Sequence, residues 1–306
     1  MILCADIGGS FIDFAVVSPD GRVAQRQAEP TPIHDIRAFA DILTKFCAPW
    51  PDAALHIAIA GVENPETGVV HAANIPCLAN APLTSLLQER TQRQVLIAND
   101  ADCFALAEAR FGVARGHKNV FGVILGTGVG GGLVIDGRLV RGLGGVTGEW
   151  GHGPFIIPPP ATPAGLDLSR VIPSFRCGCG QTGCLDTIAG ARALERLHLW
   201  AGGSAATSRE ILTQWEGGEP EAGRTMDIYL AYLGSALALV VNTTGATIIP
   251  VGGGLGGSAA LIAAIDRGVR QKILVQADAP LVVQAVLGRD AGLLGAACLE
   301  CESERR

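Results

Sequence analysis

Three times in this 306-residue chain a short apolar run leads into a glycine-rich turn. Ile2–Ala5 leads into Asp6-Ile7-Gly8-Gly9-Ser10, Val120–Leu125 into Gly126-Thr127-Gly128, and Thr247–Val251 into Gly252-Gly253-Gly254. Glycine at the end of a buried strand permits a tight turn and lets consecutive backbone N–H groups approach an anion closely. Repeated at three strand ends, the pattern points to an α/β chain whose loops cradle phosphate oxygens of a nucleotide. Such a cradle needs no lysine. Lysine occurs only at positions 45, 118 and 272, and the P-loop signature G-x-x-x-x-G-K-[ST] is absent. Asp6 stands just before the first loop, where a carboxylate can hold Mg²⁺ directly or through water.

Between these loops the hydrophobic pattern alternates strand and helix. Phe11–Ser18 and Arg22–Gln27 form a hairpin through Pro19-Asp20-Gly21, and Ile36, Phe39, Ala40, Leu43 and Phe46 follow helical spacing within 33–47. Leu55–Ala60 and Gln94–Ala98 read as strands, and Leu83–Arg90 and Asp102–Phe111 as helices. A second cycle starts at Val120. Its loop, taken as 126–132, is followed by Leu133–Ile135, an Asp136-Gly137 turn and Arg138–Val140. Asp20-Gly21-Arg22 and Asp136-Gly137-Arg138 recur in the same order after a glycine loop, which suggests two related halves. Residues 154–173 are Pro-rich and irregular; helices are expected over 188–200, 208–215, 227–242 and 292–300.

With 48% hydrophobic and 17% charged residues, the chain is neither disordered nor a coiled coil, and its length suits two domains. The formal charge of −6 disfavours nucleic acid and anionic membranes as partners. The longest uncharged apolar stretch, Ile228–Val241, is too short for a bilayer and is expected to be a buried helix. Asp6 lies too close to the start for a signal peptide to be expected, and most of the nine cysteines stand singly in apolar surroundings, as suits a reducing cytoplasm.

Two further groups carry chemistry. Asn99-Asp100 sits between a strand and a helix. Asn99, Asp100 or Asp102 could each cap that helix, and Asp100 is a candidate general base. Gly148-Glu149-Trp150-Gly151-His152, followed by Cys177-Gly178-Cys179 and Cys184, offers three thiolates and an imidazole with glycines between them. That donor set suits tetrahedral Zn²⁺ in a structural role. Gly126-x-Gly128-x-x-Gly131 matches the dinucleotide fingerprint formally, but a strand rather than a helix follows it, so the oxidoreductase reading fails.

Taken in order, Asp6–Ser10, Asn99-Asp100, Leu125–Gly130, Gly148-Glu149-x-Gly151-His152 and the Cys177–Cys184 cluster resemble the ROK family of sugar kinases over nearly the whole chain. Within it, Ala72–Pro76, Asn99–Leu106, Ile124–Leu133 and Thr147–Glu149 look most like bacterial N-acetylglucosamine kinases. The resemblance implies an actin-like, hexokinase-type α/β fold of two domains, each with a mixed sheet led by a β-hairpin. It divides the chain into a small domain, 1–118 completed by 290–306, and a large one, 119–289. It makes Asp100 the catalytic base and assigns Gly61, Asn74, Asn99, Asp100, Glu149, His152 and Asp186 to the sugar. Asp6, Gly8, Gly9, Ser10, Gly126, Thr127, Gly128, Gly252, Gly253 and Gly254 would hold ATP with Mg²⁺; His152, Cys177, Cys179 and Cys184 would hold zinc. The expected reaction is ATP-dependent phosphorylation of the N-acetylglucosamine 6-hydroxyl by a cytoplasmic homodimer. A sibling kinase for glucose, N-acetylmannosamine or fructose is the alternative, followed by a non-catalytic sugar sensor. ROK-type repressors carry an N-terminal helix-turn-helix, for which the loop at residue 6 leaves no room, and an actin-like structural ATPase has no need of the cysteine cluster. Three departures from the family stand out: Ser10-Phe11 for Thr-Lys, Ala60-Gly61 for Pro-Gly, and Asp186 for a glutamate expected to touch the sugar.

Overall fold

The computed structural model describes residues 1–72, 74–153, 155 and 174–300. Two five-stranded mixed sheets organise it, and they share one plan. In the first, β1 (Ile2–Ile7), β2 (Phe11–Val17) and β3 (Val23–Pro30) form an antiparallel meander, and β4 (Leu55–Ile59) and β8 (Val95–Asn99) continue it in parallel, in the order β3-β2-β1-β4-β8. In the second, β9 (Asn119–Leu125), β10 (Val129–Ile135) and β11 (Arg138–Leu139) lead, and β12 (Ile249–Gly252) and β13 (Val282–Gln284) follow in parallel, in the order β11-β10-β9-β12-β13. The recurrence anticipated from the two Asp-Gly-Arg turns therefore extends to the whole strand order. A small sheet of β5 (Val62–Glu63), β6 (Val69–His71) and β7 (Ala81–Pro82) has strands too short to leave a periodic signal.

By contacts the chain falls into two compact units, one of 1–122, 132–148 and 286–306, the other of 123–131 and 149–285. In the first unit, α1 (Ile36–Cys47) starts at Asp35, whose carboxylate accepts from the Arg37 and Ala38 N–H groups. Its face of Phe39, Ala40, Leu43 and Phe46 is buried, with Phe46 stacked on Phe14 at 4.4 Å. Helix α2 (Leu83–Thr91) packs beside α1. Helices α3 (Asp100–Arg110) and α9 (Ala291–Ala297) pack so closely that a Cβ on Gly295 would lie 1.8 Å from the Cys103 carbonyl oxygen. Glu108 is fully buried there, accepting from the Val113, Val286 and Leu287 N–H groups at 3.0 Å each.

In the second unit, α4 (Asp186–Ala189) and α5 (Ala191–Trp200) replace the single helix expected over 188–200. The break falls at Gly190, where a Cβ would sit 2.7 Å from the Thr127 carbonyl oxygen. Helix α6 (Ser208–Glu216) begins with a Thr207–Glu210 capping box. Helix α7 (Pro220–Thr244) starts on a proline and ends at Gly245 in the left-handed region, about three turns longer than its apolar stretch suggests. By length and hydropathy it could cross a membrane. Here it buries Met226, Tyr229, Leu233, Ala236 and Leu237 against helices of its own unit, α8 (Ala259–Arg270) among them. Helix α8 and β13 went unforeseen in the sequence. Two loop boundaries also need correction: β1 runs through Asp6 and Ile7, and β10 begins at Val129, so the second glycine loop is only Gly126–Gly128. The Pro-rich stretch at 154–173 lies, apart from Phe155, outside the described residues.

Candidate active site

In the first unit the three parallel strands bring their C-terminal ends to one edge. The register pairs Ile7 with Ile59 and Ile59 with Asn99, so Asp6, Gly61 and Asn99-Asp100 emerge together, where open α/β sheets bind ligands. Asn99 is the residue that caps α3. Its Oδ1 accepts from the Ala101 N–H at 2.9 Å and its Nδ2 donates to the Gly61 carbonyl at 3.1 Å. Asp100 also accepts from that N–H, through Oδ1 at 2.8 Å. Asn99 and Asp100 thus share the Ala101 N–H at the start of α3, at the sheet edge where Asp6 also emerges. Asn74 passes over the first glycine loop, its carbonyl oxygen 3.1 Å from where a Cβ on Gly9 would be. Thr31 braces the same loop through Gly8 and Ser10.

Asp6 faces Asp13 across the β1–β2 pair. Arg26 takes Asp13 in a bidentate grip, at 2.9 and 3.0 Å from Nε, and also pairs with Asp290. Burial, reinforced by the Asp100 and Asp13 carboxylates, pushes the Asp6 carboxyl up to about 7 against the pull of Arg26. A group of acids this close suits a divalent cation, whose charge would relieve the repulsion.

In the second unit, Gly126–Gly128 and Gly252–Gly254 leave the C-terminal ends of the adjacent parallel strands β9 and β12. Gly253 has φ +81°, and a Cβ there would lie 2.4 Å from the Leu125 carbonyl oxygen, so only glycine fits. Beside Gly254 opens a cavity of about 350 Å³ lined by Arg209, Leu212, Thr213, Glu216, Leu255 and Ser258. These residues were not singled out from the sequence. They come from α6 and the start of α8, which no local spacing connects.

The cysteine cluster lies in the same unit. Cys177 Sγ is 3.6 Å from His152 Nδ1, Cys179 Sγ is 3.6 Å from Cys184 Sγ, and all four donor atoms lie within 4.8 Å of one another. A tetrahedron with zinc–sulfur bonds of about 2.3 Å has edges of about 3.8 Å, so the residues fit that ion in chemistry and in spacing. The other ring nitrogen, Nε2, lies 3.6 Å from a Glu149 carboxylate oxygen, leaving His152 two-sided. Burial pushes the Cys177 thiol up to about 12, while the Gln181 N–H holds Cys179 down. Asp186, expected at the sugar, has its carboxylate turned toward Val129 and Cys177.

Residues 2–302 match the ROK family. The N-acetyl-D-glucosamine kinase of Salmonella arizonae is 33% identical over 300 residues, which is 96% of this chain and 97% of that protein. The chain belongs to the ROK family. Among solved structures, the ROK hexokinase of Thermus thermophilus superposes with a TM-score of 0.81 at 31% identity, covering 97% of this chain and 96% of that one. The ROK glucokinase of Streptomyces griseus, solved with glucose and AMPPNP, gives 0.73 at 29% identity, covering 97% of each. This ROK protein accordingly has the actin-like two-domain fold and is a phosphotransferase. Its sequence motifs single out Asp6, Asn99-Asp100 and the cysteine cluster as candidates. They passed over Asp13, Arg26 and Asp290, whose place around Asp6 depends on cross-strand register.

Proposed function

We propose that this ROK sugar kinase transfers the γ-phosphoryl group of ATP to the 6-hydroxyl of N-acetylglucosamine. The observation that carries the chemistry is the place of Asp100, at the start of α3 where the parallel strands end and near the Asp6 carboxylate, which suits a base beside bound phosphate and magnesium. Asp100 takes the proton of the sugar hydroxyl as its oxygen bonds to the γ-phosphorus. The bond from that phosphorus to the β,γ-bridging oxygen breaks, and ADP leaves. Gly8–Ser10 and Gly126–Gly128 present backbone amides to the phosphates, and the cavity beside Gly254 has the size of a nucleoside subsite. Magnesium near Asp6 would neutralise charge on the transferring oxygens. Asn74, Glu149 and His152 are the residues to which sugar contacts are assigned, alongside Gly61 and Asn99. Zinc held by His152, Cys177, Cys179 and Cys184 would fix the His152 ring so that Nε2 faces the substrate.

N-acetylglucosamine is favoured by the full-length likeness to kinases of that sugar at 33% identity. Glucose is the second reading, because the Streptomyces griseus enzyme, solved with glucose, is similar at 29%. An ATP-coupled assay over N-acetylglucosamine, glucose, N-acetylmannosamine and fructose tests the choice. The expected result is the highest kcat/KM for N-acetylglucosamine; a higher value for another sugar overturns the substrate, and no turnover of any overturns the kinase. The expected homodimer rests on the family alone and is checked by molar mass in solution.

A further inference from the structure

Arg26 reaches the surroundings of Asp6 through an irregularity of the first sheet. Strand β3 lies at the sheet edge and is exposed along most of its length, yet Arg26 is half-buried. The β2–β3 register shifts by one between Phe14 and Val16, so Gln25 and Arg26 together oppose Ala15. Gln25 takes φ +51°, left-handed for a residue with a Cβ, and a bulge of this kind re-aims the neighbouring side chain. The guanidinium thereby holds two acids at once. Nε and Nη2 donate to Asp13, and Nη1 donates to Asp290, just ahead of α9. Asp13 faces Asp6 across the β1–β2 pair, and the start of α9 closes on Asp6 as well: a Cβ on Gly292 would stand 2.1 Å from Asp6 Oδ2. Three carboxylates thus converge where one arginine binds two of them. Among the described residues, no arginine or lysine forms an ion pair with Asp6 itself.

We propose that Arg26 is a positioning residue that keeps Asp13 and Asp290 from competing with Asp6 for a divalent cation. Carboxylates hold such ions more tightly as their number and net charge grow. Without a partner, Asp13 would join Asp6 in a two-acid site that draws the ion away from the transferring phosphate. The arginine prevents this in two ways. Its fork fills acceptor positions of Asp13, and its positive charge offsets a negative one beside Asp6. Asp13 is the stronger competitor, because its side chain is 27% exposed against 40% for Asp290 and water screens it less. A lysine would supply the charge at one point, without the fork. The inference rests on the kinase reading for what the ion does in turnover, but not for the balance of charge around Asp6.

The test is Mn²⁺ binding to the nucleotide-free protein, read by electron paramagnetic resonance, beside kcat and KM for N-acetylglucosamine with saturating MgATP. Arg26→Gln keeps hydrogen-bond donors for the two acids but removes the charge. It should bind Mn²⁺ about 10-fold tighter than wild type, the scale expected when a unit charge near a divalent ion is withdrawn from a hydrated site. Its kcat should fall about 10-fold while the sugar KM stays within about 2-fold, because the ion is misplaced and the sugar is not. Adding Asp13→Asn to Arg26→Gln removes the competing acid and should bring Mn²⁺ affinity and kcat back to within about 3-fold of wild type. Arg26→Lys keeps the charge and should bind Mn²⁺ much as wild type does. A merely structural link between the hairpin and α9 predicts otherwise, since the double variant has lost more of that link than Arg26→Gln has. Unchanged Mn²⁺ affinity in Arg26→Gln, or equal affinities in Arg26→Gln and Arg26→Lys, overturns the proposal. If Arg26→Gln does not fold, the double variant decides, and a kcat loss there as large as about 10-fold overturns the proposal as well. A protein that phosphorylates no sugar, yet gains Mn²⁺ affinity in Arg26→Gln, sinks the kinase reading and leaves the role of Arg26 toward the ion standing.

Discussion

The two five-stranded sheets share a strand order, yet their corresponding loops have opposite electrostatics. In the first, Asp6 precedes Ile7-Gly8-Gly9, faces Asp13 across the hairpin and lies near Asp100. In the second, Ile124 holds the position matching Asp6, and the loop offers only glycine, threonine and backbone amides. The braces differ too: Thr31 hydroxyl and N–H for the first loop, the Asp186 carboxylate and Ala191 N–H for the second. A duplicated framework can thus keep its geometry while one copy takes on acids suited to cations and proton transfer, and the other takes on donors suited to anions. Backbone topology sets where the loops open; the side chain two positions before the first glycine sets what they attract.

The sharpest way to break this contrast is Asp100→Asn. The amide keeps the shape and hydrogen-bonding capacity at the start of α3 but cannot accept the hydroxyl proton. Turnover should fall by about 10²–10⁴-fold, with sugar affinity and melting temperature close to wild type. Retention of a tenth of wild-type turnover would remove Asp100 from the base role. On the other side of the comparison, Cys184→Ser withdraws a fully buried member of the cysteine cluster. Wild-type protein should carry about one zinc per chain, and the variant should lose it to a chelator and melt lower, because ligand binding and local folding are coupled. Full activity in protein proven metal-free would sink the zinc assignment.

How far these features were legible depends on the distance over which they are built. The cysteine cluster shows in the sequence because three of its four donors fall within one short glycine-rich turn. Asn99-Asp100 shows as a strand-to-helix junction, but which residue caps needed the Ala101 N–H to be located. The Asp6 surroundings could not be read at all. Arg26 joins Asp13 to Asp290, which lies 264 positions beyond the arginine, and no pattern in one sequence reports a pairing of that span. The same holds for Arg209, Glu216 and Ser258 around the cavity, and for the direction of the Asp186 side chain, where composition gave the residue type but not the partner.

Asp6 offers a pH test of the acidic half. Its carboxyl rises from the ordinary 3.8 to about 7 in the folded protein, so the folded state holds this proton more tightly than the unfolded chain does. The sign follows: the contribution to stability is fully present below about pH 4 and is lost as the pH climbs through about 7. The full loss is at most about 4 kcal/mol. Asp6→Asn cannot ionise, so the ligand-free variant should be more stable than wild type at pH 8, with the gap shrinking toward pH 5. Phosphoryl transfer should fall in the same variant. A stability gap independent of pH would mean that Asp6 is not held protonated by its neighbours.

The smallest effects compare the two hairpin turns themselves. Gly21 and Gly137 occupy matching Asp-Gly-Arg positions, with φ of +81° and +74°, so alanine at either meets the same left-handed penalty of about 1 kcal/mol. Their surroundings differ. An added Cβ at Gly21 would lie 2.8 Å from Phe111 Cε1, whereas at Gly137 nothing stands within 4 Å. The Phe111 ring is half-buried at the end of α3, so moving it disturbs packing, and overpacking of this kind adds about 1–3 kcal/mol. Gly137→Ala should therefore lower stability by about 1 kcal/mol and Gly21→Ala by about 2–4 kcal/mol, both read from urea midpoints. The second hairpin also places Asp136 at φ +53°, giving two consecutive left-handed residues, while Asp20 is not among the non-glycine residues with positive φ. The second turn is thus a tight two-residue loop and the first a looser one fitted around Phe111. If the two alanine variants cost the same, the ring yields freely and the first hairpin owes nothing to it; if Gly21→Ala alone is severe, the two copies have diverged in packing as well as in charge.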